Sequence, residues 1–239
     1  MSQQPVVSNQ GFEKFETKTT LEVLKWALDT YQDKVALASS FGAEDVVFID
    51  QILKINPNAR VFTLDTGRLP KETYDVIEEI RDKYGANIEF YYPDTKAVEE
   101  MLGKYGPNLF YNSIDLRKLC CTVRKVEPLN RALSNLSAWI CGLRREQSVT
   151  RTAVEKVEVD KGHDSIVKIN PLADWTEEQI WAYIRKNDVP YNALHDKHFP
   201  SIGCAPCTRA VEPGEDVRAG RWWWEDPEQK ECGLHEKSN

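Results

Sequence analysis

Val35–Ile55 reads VALASSFGAEDVVFIDQILKI. The first seven residues are a short apolar run that stops at Gly42, and the rest, AEDVVFIDQILKI, places apolar residues at helical spacing. A buried strand that feeds directly into a helix predicts one unit of an α/β fold. The same alternation recurs on both sides. VFTLDTG (Val61–Gly67) reads as a second strand. PKETYDVIEEIRDKY reads as the next helix, with Pro70 in a first-turn position. IEFYYP (Ile88–Pro93) is a third strand and SAWICGLR (Ser137–Arg144) a fourth. Upstream, Thr19 and Glu22 form a capping box before LEVLKWALDTY, which predicts a first helix. The predicted fold class is α/β: a parallel sheet flanked by helices, with right-handed crossovers. Such sheets bind ligands at the carboxyl ends of their strands. Ser39-Ser40-Phe41-Gly42, Leu64-Asp65-Thr66-Gly67 and Gly142-Leu143-Arg144-Arg145 all fall there, so three loops converge on one edge.

Residues 1–18 are polar and aperiodic and read as a flexible arm. Residues 19–239 read as a single domain, with an α/β part over about 19–190 and a loop-rich C-terminal extension over about 191–239. After Arg151 two short strands, VEKVEVD and SIVKINPL, precede a strong amphipathic helix, DWTEEQIWAYIRKNDV, with a Thr176/Gln179 capping box.

The formal net charge of −7 over 239 residues argues against a general nucleic-acid binder. An anionic small molecule needs only a local basic patch, and Lys125, Arg144, Arg145, Arg151, Arg209, Arg218 and Arg221 offer one. No apolar run approaches the ~20 residues of a membrane span. The N-terminal stretch lacks the basic and apolar regions of a secretory signal. The expected compartment is the reducing cytoplasm, where paired cysteines more often bind metal or do chemistry than brace a fold.

The cysteines divide accordingly. Cys120-Cys121 is an adjacent pair, Cys204-Cys207 a CxxC, and Cys232 stands near the C-terminus. The pair lies in LRKLCCTVRKVEPLNRAL, which reads as helix up to the residues before Pro128. Adjacent side chains on a helix diverge by ~100°. Two such thiolates suit a polynuclear cluster better than one ion, so the spacing leans toward a 4Fe-4S cluster on four thiolates over zinc. Buried inert cysteines are the bland alternative, although GCAPCT is a poor core segment. Cys141, inside the apolar SAWICGL, reads as a packed core residue. Around Cys232, Gly233 gives local freedom, and Lys230 and His235 offer stabilisation to a thiolate.

With these residues in view, the chain resembles the assimilatory adenylyl-sulfate reductases, within a wider family that includes the phosphoadenylyl-sulfate reductases. SSFGAED (39–45), LDTGRLPKETY (64–74), CCTVRKVEPL (120–129), GLRREQSVTR (142–151), GCAPCTRAVEPGEDVRAGRWWWE (203–225) and ECGLH (231–235) carry the resemblance. It implies an adenine-nucleotide α-hydrolase-like fold with a PP-loop-like SSFGAED. It implies a 4Fe-4S cluster, one per chain, on Cys120, Cys121, Cys204 and Cys207, and a catalytic nucleophile at Cys232. Lys125, Arg218, Arg221 and arginines of GLRREQ (Arg144, Arg145) would contact substrate. Ser39, Ser40, Phe41, Gly42, Leu64, Thr66 and Gly67 would offer backbone and hydroxyl groups to adenine and ribose. The presence of all four cluster cysteines favours adenylyl sulfate over its 3′-phosphorylated form. Compared with the SGGxDS of ATP pyrophosphatases, Phe41 replaces a glycine and Glu44 precedes Asp45, which weakens ATP hydrolysis as an activity.

The implied chemistry is attack of the Cys232 thiolate on the sulfur of adenylyl sulfate, giving an S-sulfonate and AMP. A dithiol protein, thioredoxin or a glutaredoxin-like protein, then releases sulfite, because no further cysteine of this chain is placed to resolve Cys232. Lys125, four residues from Cys121, would link the cluster electrostatically to the anionic substrate. The tryptophan run Trp222-Trp223-Trp224 would anchor the tail. The rival readings are a 3′-phosphoadenylyl-sulfate or dual-specificity reductase, a PP-loop tRNA-thiolating enzyme, and a cluster-binding sensor without turnover. A homo-oligomer is compatible with the sequence, which sets no oligomeric state.

Overall fold

The computed structural model describes residues 11–147, 151–226 and 234. Its strands are Val35–Ala38 (β1), Arg60–Leu64 (β2), Ile88–Tyr91 (β3), Ala138–Ile140 (β4), Val157–Asp160 (β5) and Ile166–Ile169 (β6). They form one sheet in the order β3-β2-β1-β4-β6-β5. The first five in that order run parallel, as the strand–helix alternation predicts. The edge strand β5 corrects the all-parallel expectation. It pairs antiparallel with β6, Val157 opposite Ile169. No helix separates the two strands, so the chain reverses through a tight turn in which Asp164 and Ser165 adopt φ of 50° and 59°.

The helices are Thr20–Tyr31 (α1), Ala43–Ile55 (α2), Lys71–Tyr84 (α3), Thr95–Tyr105 (α4), Ile114–Cys121 (α5), Glu127–Leu133 (α6) and Glu177–Asn187 (α7). Both capping boxes are present: Thr19 with Glu22 starts α1 and Thr176 with Gln179 starts α7. Pro70 sits at the N-cap of α3, one position before its first turn. The strands' alternating residues feed two cores. Val35, Leu37, Val61 and Ile140 pack with α1, α2, α3 and α7, whereas Ala36, Phe62 and Trp139 pack with α6. Each fully buried Phe48, Ile49 or Ile52 contributes about 1.5–3 kcal/mol. The buried Asp50 carboxylate accepts from Tyr84 (2.9 Å), Tyr183 (2.6 Å) and Lys54 (2.7 Å), tying α2 to α3 and α7.

The helix through Cys120-Cys121 does not stop before Pro128. It passes from α5 through a π-helical segment, Thr122–Val126, into α6, where Pro128 lies in the first turn. A proline ring inside a regular α-helix would crowd the carbonyl four residues back, here that of Arg124. The wider π turn opens the ladder at that point, so the chain stays helical.

Residues 11–18 are docked, contrary to the arm expected over 1–18; residues 1–10 lie outside the described residues. Phe15 is buried against Trp26, ring centroids 4.2 Å apart. Glu16 accepts from Arg145 (2.6 Å) and from the Lys156 backbone N–H (2.7 Å). Among the described residues no helix is long and apolar enough to cross a membrane.

Candidate active site

The carboxyl ends of β1, β2 and β4 open into a cavity of about 340 Å³. Ser39, Ser40 and Gly42 after β1, Leu64 and Thr66 after β2, and Gly142, Leu143 and Arg144 after β4 all line it. The loop after β1 is held by one carboxylate. Asp45, in the first turn of α2, accepts from the Ser40 backbone N–H (2.6 Å) and hydroxyl (2.8 Å). Burial pushes the Asp45 carboxyl up to about 6, against the lowering effect of those two bonds. Gly142 is required beside it, because a Cβ there would stand 2.6 Å from Asp45 Oδ1. Two predicted loop contacts do not line the cavity. Phe41, at φ 58°, turns its ring wholly into the core. Gly67, at φ 68°, donates its N–H to Asp65 and shapes the turn.

The basic residues separate into two groups. Lys125, Arg218 and Arg221 line the cavity together. Arg218 and Arg221 are not on a helix; they close a turn in which Arg221 N–H donates to the Arg218 carbonyl (2.9 Å). Arg144 also lines the cavity, but acids hold its guanidinium: Glu44 at 2.8 Å and Glu146 at 3.4 Å, with the Trp175 carbonyl at 3.1 Å. Arg145 is absent from the lining and pairs instead with Glu16 and the Val154 carbonyl. The GLRREQ arginines thus brace the wall rather than lie open to an anion. Gln147 and Arg151 also line the cavity. The Gln147 side chain joins the Gly142 carbonyl (2.9 Å), the Arg144 N–H (3.1 Å) and Arg151 (2.6 Å). Arg151 is one of the basic residues that the sequence singles out, whereas Gln147 carries no sequence signal that separates it from its neighbours.

A second, smaller cavity adjoins the first. Cys120, Cys121, Cys204 and Cys207 line it, and Lys125, Arg221 and Trp222 line both cavities. Burial pushes the Cys207 thiol up to about 12 and raises Cys120. Burial also opposes ionisation of Cys204, but Lys125, the Thr66 hydroxyl 3.2 Å away, Arg221 and Arg124 outweigh it and lower that thiol. Among the described residues no three His, Cys, Asp or Glu side chains close around the position of a single metal ion. The four thiols line one cavity, and a set of four thiolates is a donor set that suits an iron–sulfur group as well as zinc. Cys141 is buried, as expected, and donates to Asn170 Oδ1 (2.9 Å).

The C-terminal segment is rooted beside these cysteines. Arg117 on α5 holds Glu225 through two bonds, 3.0 and 2.7 Å, with both side chains almost fully buried. The Trp222 ring meets the guanidinium groups of both Arg117 (4.9 Å) and Arg221 (4.7 Å). Cys232 lies outside the described residues; Leu234, two residues beyond it in sequence, lines the large cavity and packs on the α6 core.

The phosphoadenosine phosphosulfate reductase domain matches residues 34–210. An adenosine 5′-phosphosulfate reductase of Allochromatium vinosum is 54% identical over 205 residues, 86% of this chain and 80% of that one. The crystal structure of a phosphoadenylyl-sulfate reductase from Candida auris, in complex with phosphate, superposes with a TM-score of 0.73 at 30% identity. That match covers 88% of this chain and 99% of the other. Yeast FAD synthetase in complex with FAD superposes at 0.56 with 11% identity, over 83% and 72% of the two chains, which is a likeness of fold alone.

Proposed function

The chain belongs to the phosphoadenosine phosphosulfate reductase family, and from that premise we propose that it reduces adenosine 5′-phosphosulfate to sulfite and AMP in assimilatory sulfate reduction. One observation carries the residue assignment. The cavity joining the three strand-end loops to Lys125, Arg218 and Arg221 is lined by Leu234 as well. Leu234 stands two residues from Cys232 in sequence, a span of at most about 7 Å, which supports Cys232 as the nucleophile for that cavity.

The Ser39–Gly42 and Leu64–Thr66 loops receive the nucleoside. Lys125, Arg218 and Arg221 receive the phosphosulfate, offset the repulsion between its charge and a thiolate, and stabilise the charge that builds on the departing phosphate. The Cys232 thiolate attacks the sulfur, an S–S bond forms, and the S–O bond to phosphate breaks with its electron pair passing to AMP. A thiolate of an external dithiol protein, thioredoxin in kind, then attacks Cys232 Sγ and releases sulfite. The second thiol of that protein resolves the mixed disulfide, so the dithiol supplies the two electrons.

Cys120, Cys121, Cys204 and Cys207 would hold a 4Fe-4S cluster. When bound it would supply fixed charge and bracing beside Lys125 rather than carry electrons, because the thiols account for both. The test is sulfite release by anaerobically purified protein with thioredoxin, comparing adenosine 5′-phosphosulfate with its 3′-phospho form. Turnover of the first, abolished in Cys232→Ser, is expected, with about four iron and four sulfide per chain. No turnover from protein of full iron content overturns the reading and favours a cluster-binding sensor.

A further inference from the structure

Arg117 is the most deeply buried cation of the described residues, at 0% exposure. It stands outside the substrate cavity and no step described above uses it. Its guanidinium nevertheless touches three parts of the machinery. It forms both bonds to Glu225, it faces the ring of Trp222, and it lines the cysteine cavity with Cys121 beside it. Glu225 precedes Cys232 by seven residues. Among the described residues Leu234 is the nearest to Cys232 in sequence, and it lines the substrate cavity.

We propose that Arg117 is a positioning residue, and that its clamp on Glu225 and Trp222 sets the point from which the chain departs toward Cys232. The clamp makes the cysteine quartet and the nucleophile parts of one assembly. The helix that presents Cys120 and Cys121 also presents the cation that fixes the tail's root. A bidentate guanidinium–carboxylate pair suits this role because it fixes direction as well as distance. Its burial excludes water from competing for either partner. Trp222 adds a second restraint. Its φ of 41° is rare for a bulky residue, and its ring lies within 4.9 Å of the Arg117 guanidinium and 4.7 Å of that of Arg221. A clamp of this kind acts on the approach of the nucleophile more than on the affinity of the nucleotide, because neither Arg117 nor Glu225 lines the cavity that receives it.

The inference rests on Cys232 as the nucleophile, and its test separates the two ideas. Glu225→Gln keeps shape and weakens the clamp. The double variant Arg117→Met/Glu225→Leu removes both charges together, which spares the fold an unpaired buried ion. Each is prepared anaerobically as the metal-loaded protein, with iron content and circular dichroism measured alongside. Two readouts follow: single-turnover AMP release, and the rate at which iodoacetamide alkylates Cys232 with and without saturating AMP. The expected result is a fall of about tenfold or more in the AMP-release rate with KM changed less than twofold. AMP is expected to protect Cys232 from alkylation in the wild type and to give no such protection in either variant. Unchanged rates in folded, iron-replete variants overturn the proposal. So does a loss that only tracks iron content, or a rise in KM at constant rate. Wild-type protein that releases no AMP refutes the reductase reading instead, and the alkylation experiment then judges the clamp alone.

Discussion

Asp45 shows how one buried group ties ligand geometry to pH. Its carboxyl is raised from 3.8 to about 6, so between those values the folded chain holds a proton that the unfolded chain has released. Stability contributed by the protonated form is therefore lost as pH rises through that window, by about 3 kcal/mol once ionisation is complete. Asp45→Asn should flatten urea-denaturation stability between pH 4 and 7, and should raise KM because Ser40 loses its ionised acceptor. Lys125→Met should lower kcat/KM by about 10²–10³-fold, the range for removing one charge-stabilising donor. Arg145→Ala, by contrast, should leave KM within twofold and lose only about 1 kcal/mol of stability, since its partner is the half-exposed Glu16. These assignments divide what the sequence could reveal. That Lys125, Arg218 and Arg221 meet at one cavity was legible through their motifs. That Arg144 and Arg145 are spent on Glu44, Glu146 and Glu16 was not, because an arginine's partner is chosen by folding, here across as many as 129 residues.

At the scale of elements, the capping boxes of α1 and α7 and the four strand–loop junctions could be read directly, since cap and core periodicity are local. The helix α4 also carried local signals, an Asp94 cap accepting from the Ala97 N–H and an apolar face through Met101. The π segment Thr122–Val126 was illegible, because Pro128 signals a stop unless the preceding ladder widens. Its effect is rotational: it sets the azimuth of Cys120 and Cys121 relative to Lys125 and α6. Deleting Thr122 should turn the cysteine pair by about 100° against α6. The expected outcome is loss of visible absorbance and bound iron from a protein that keeps its far-ultraviolet helical signal. Gly220 marks a second such point. A Cβ there would stand 2.3 Å from the Arg209 carbonyl, a backbone atom that cannot swing aside. Gly220→Ala should cost about 1–3 kcal/mol and lower Tm by about 5 °C in a thermal scan.

Over the whole molecule, distant segments in sequence close the fold. Residues 11–18 dock on α1 through Phe15 and on the C-terminal half through Glu16. A chain starting at residue 19 should lose about 1.5–3 kcal/mol for Phe15 alone, measurable as a lower urea midpoint. The antiparallel β5 edge and the Arg117–Glu225 pair, 108 residues apart, likewise escaped a reading of local pattern. The two cavities share Lys125, Arg221 and Trp222 as a common wall. An occupant of one that shifts those side chains alters the free energy of occupying the other, and thermodynamic reciprocity makes the factor equal in both directions. Were a cluster held by the four cysteines, nucleotide would slow the escape of its iron to a chelator, and removal of the iron would weaken AMP binding by the same ratio. Sulfate supply and iron supply would then be read by a single protein through one partition of three side chains.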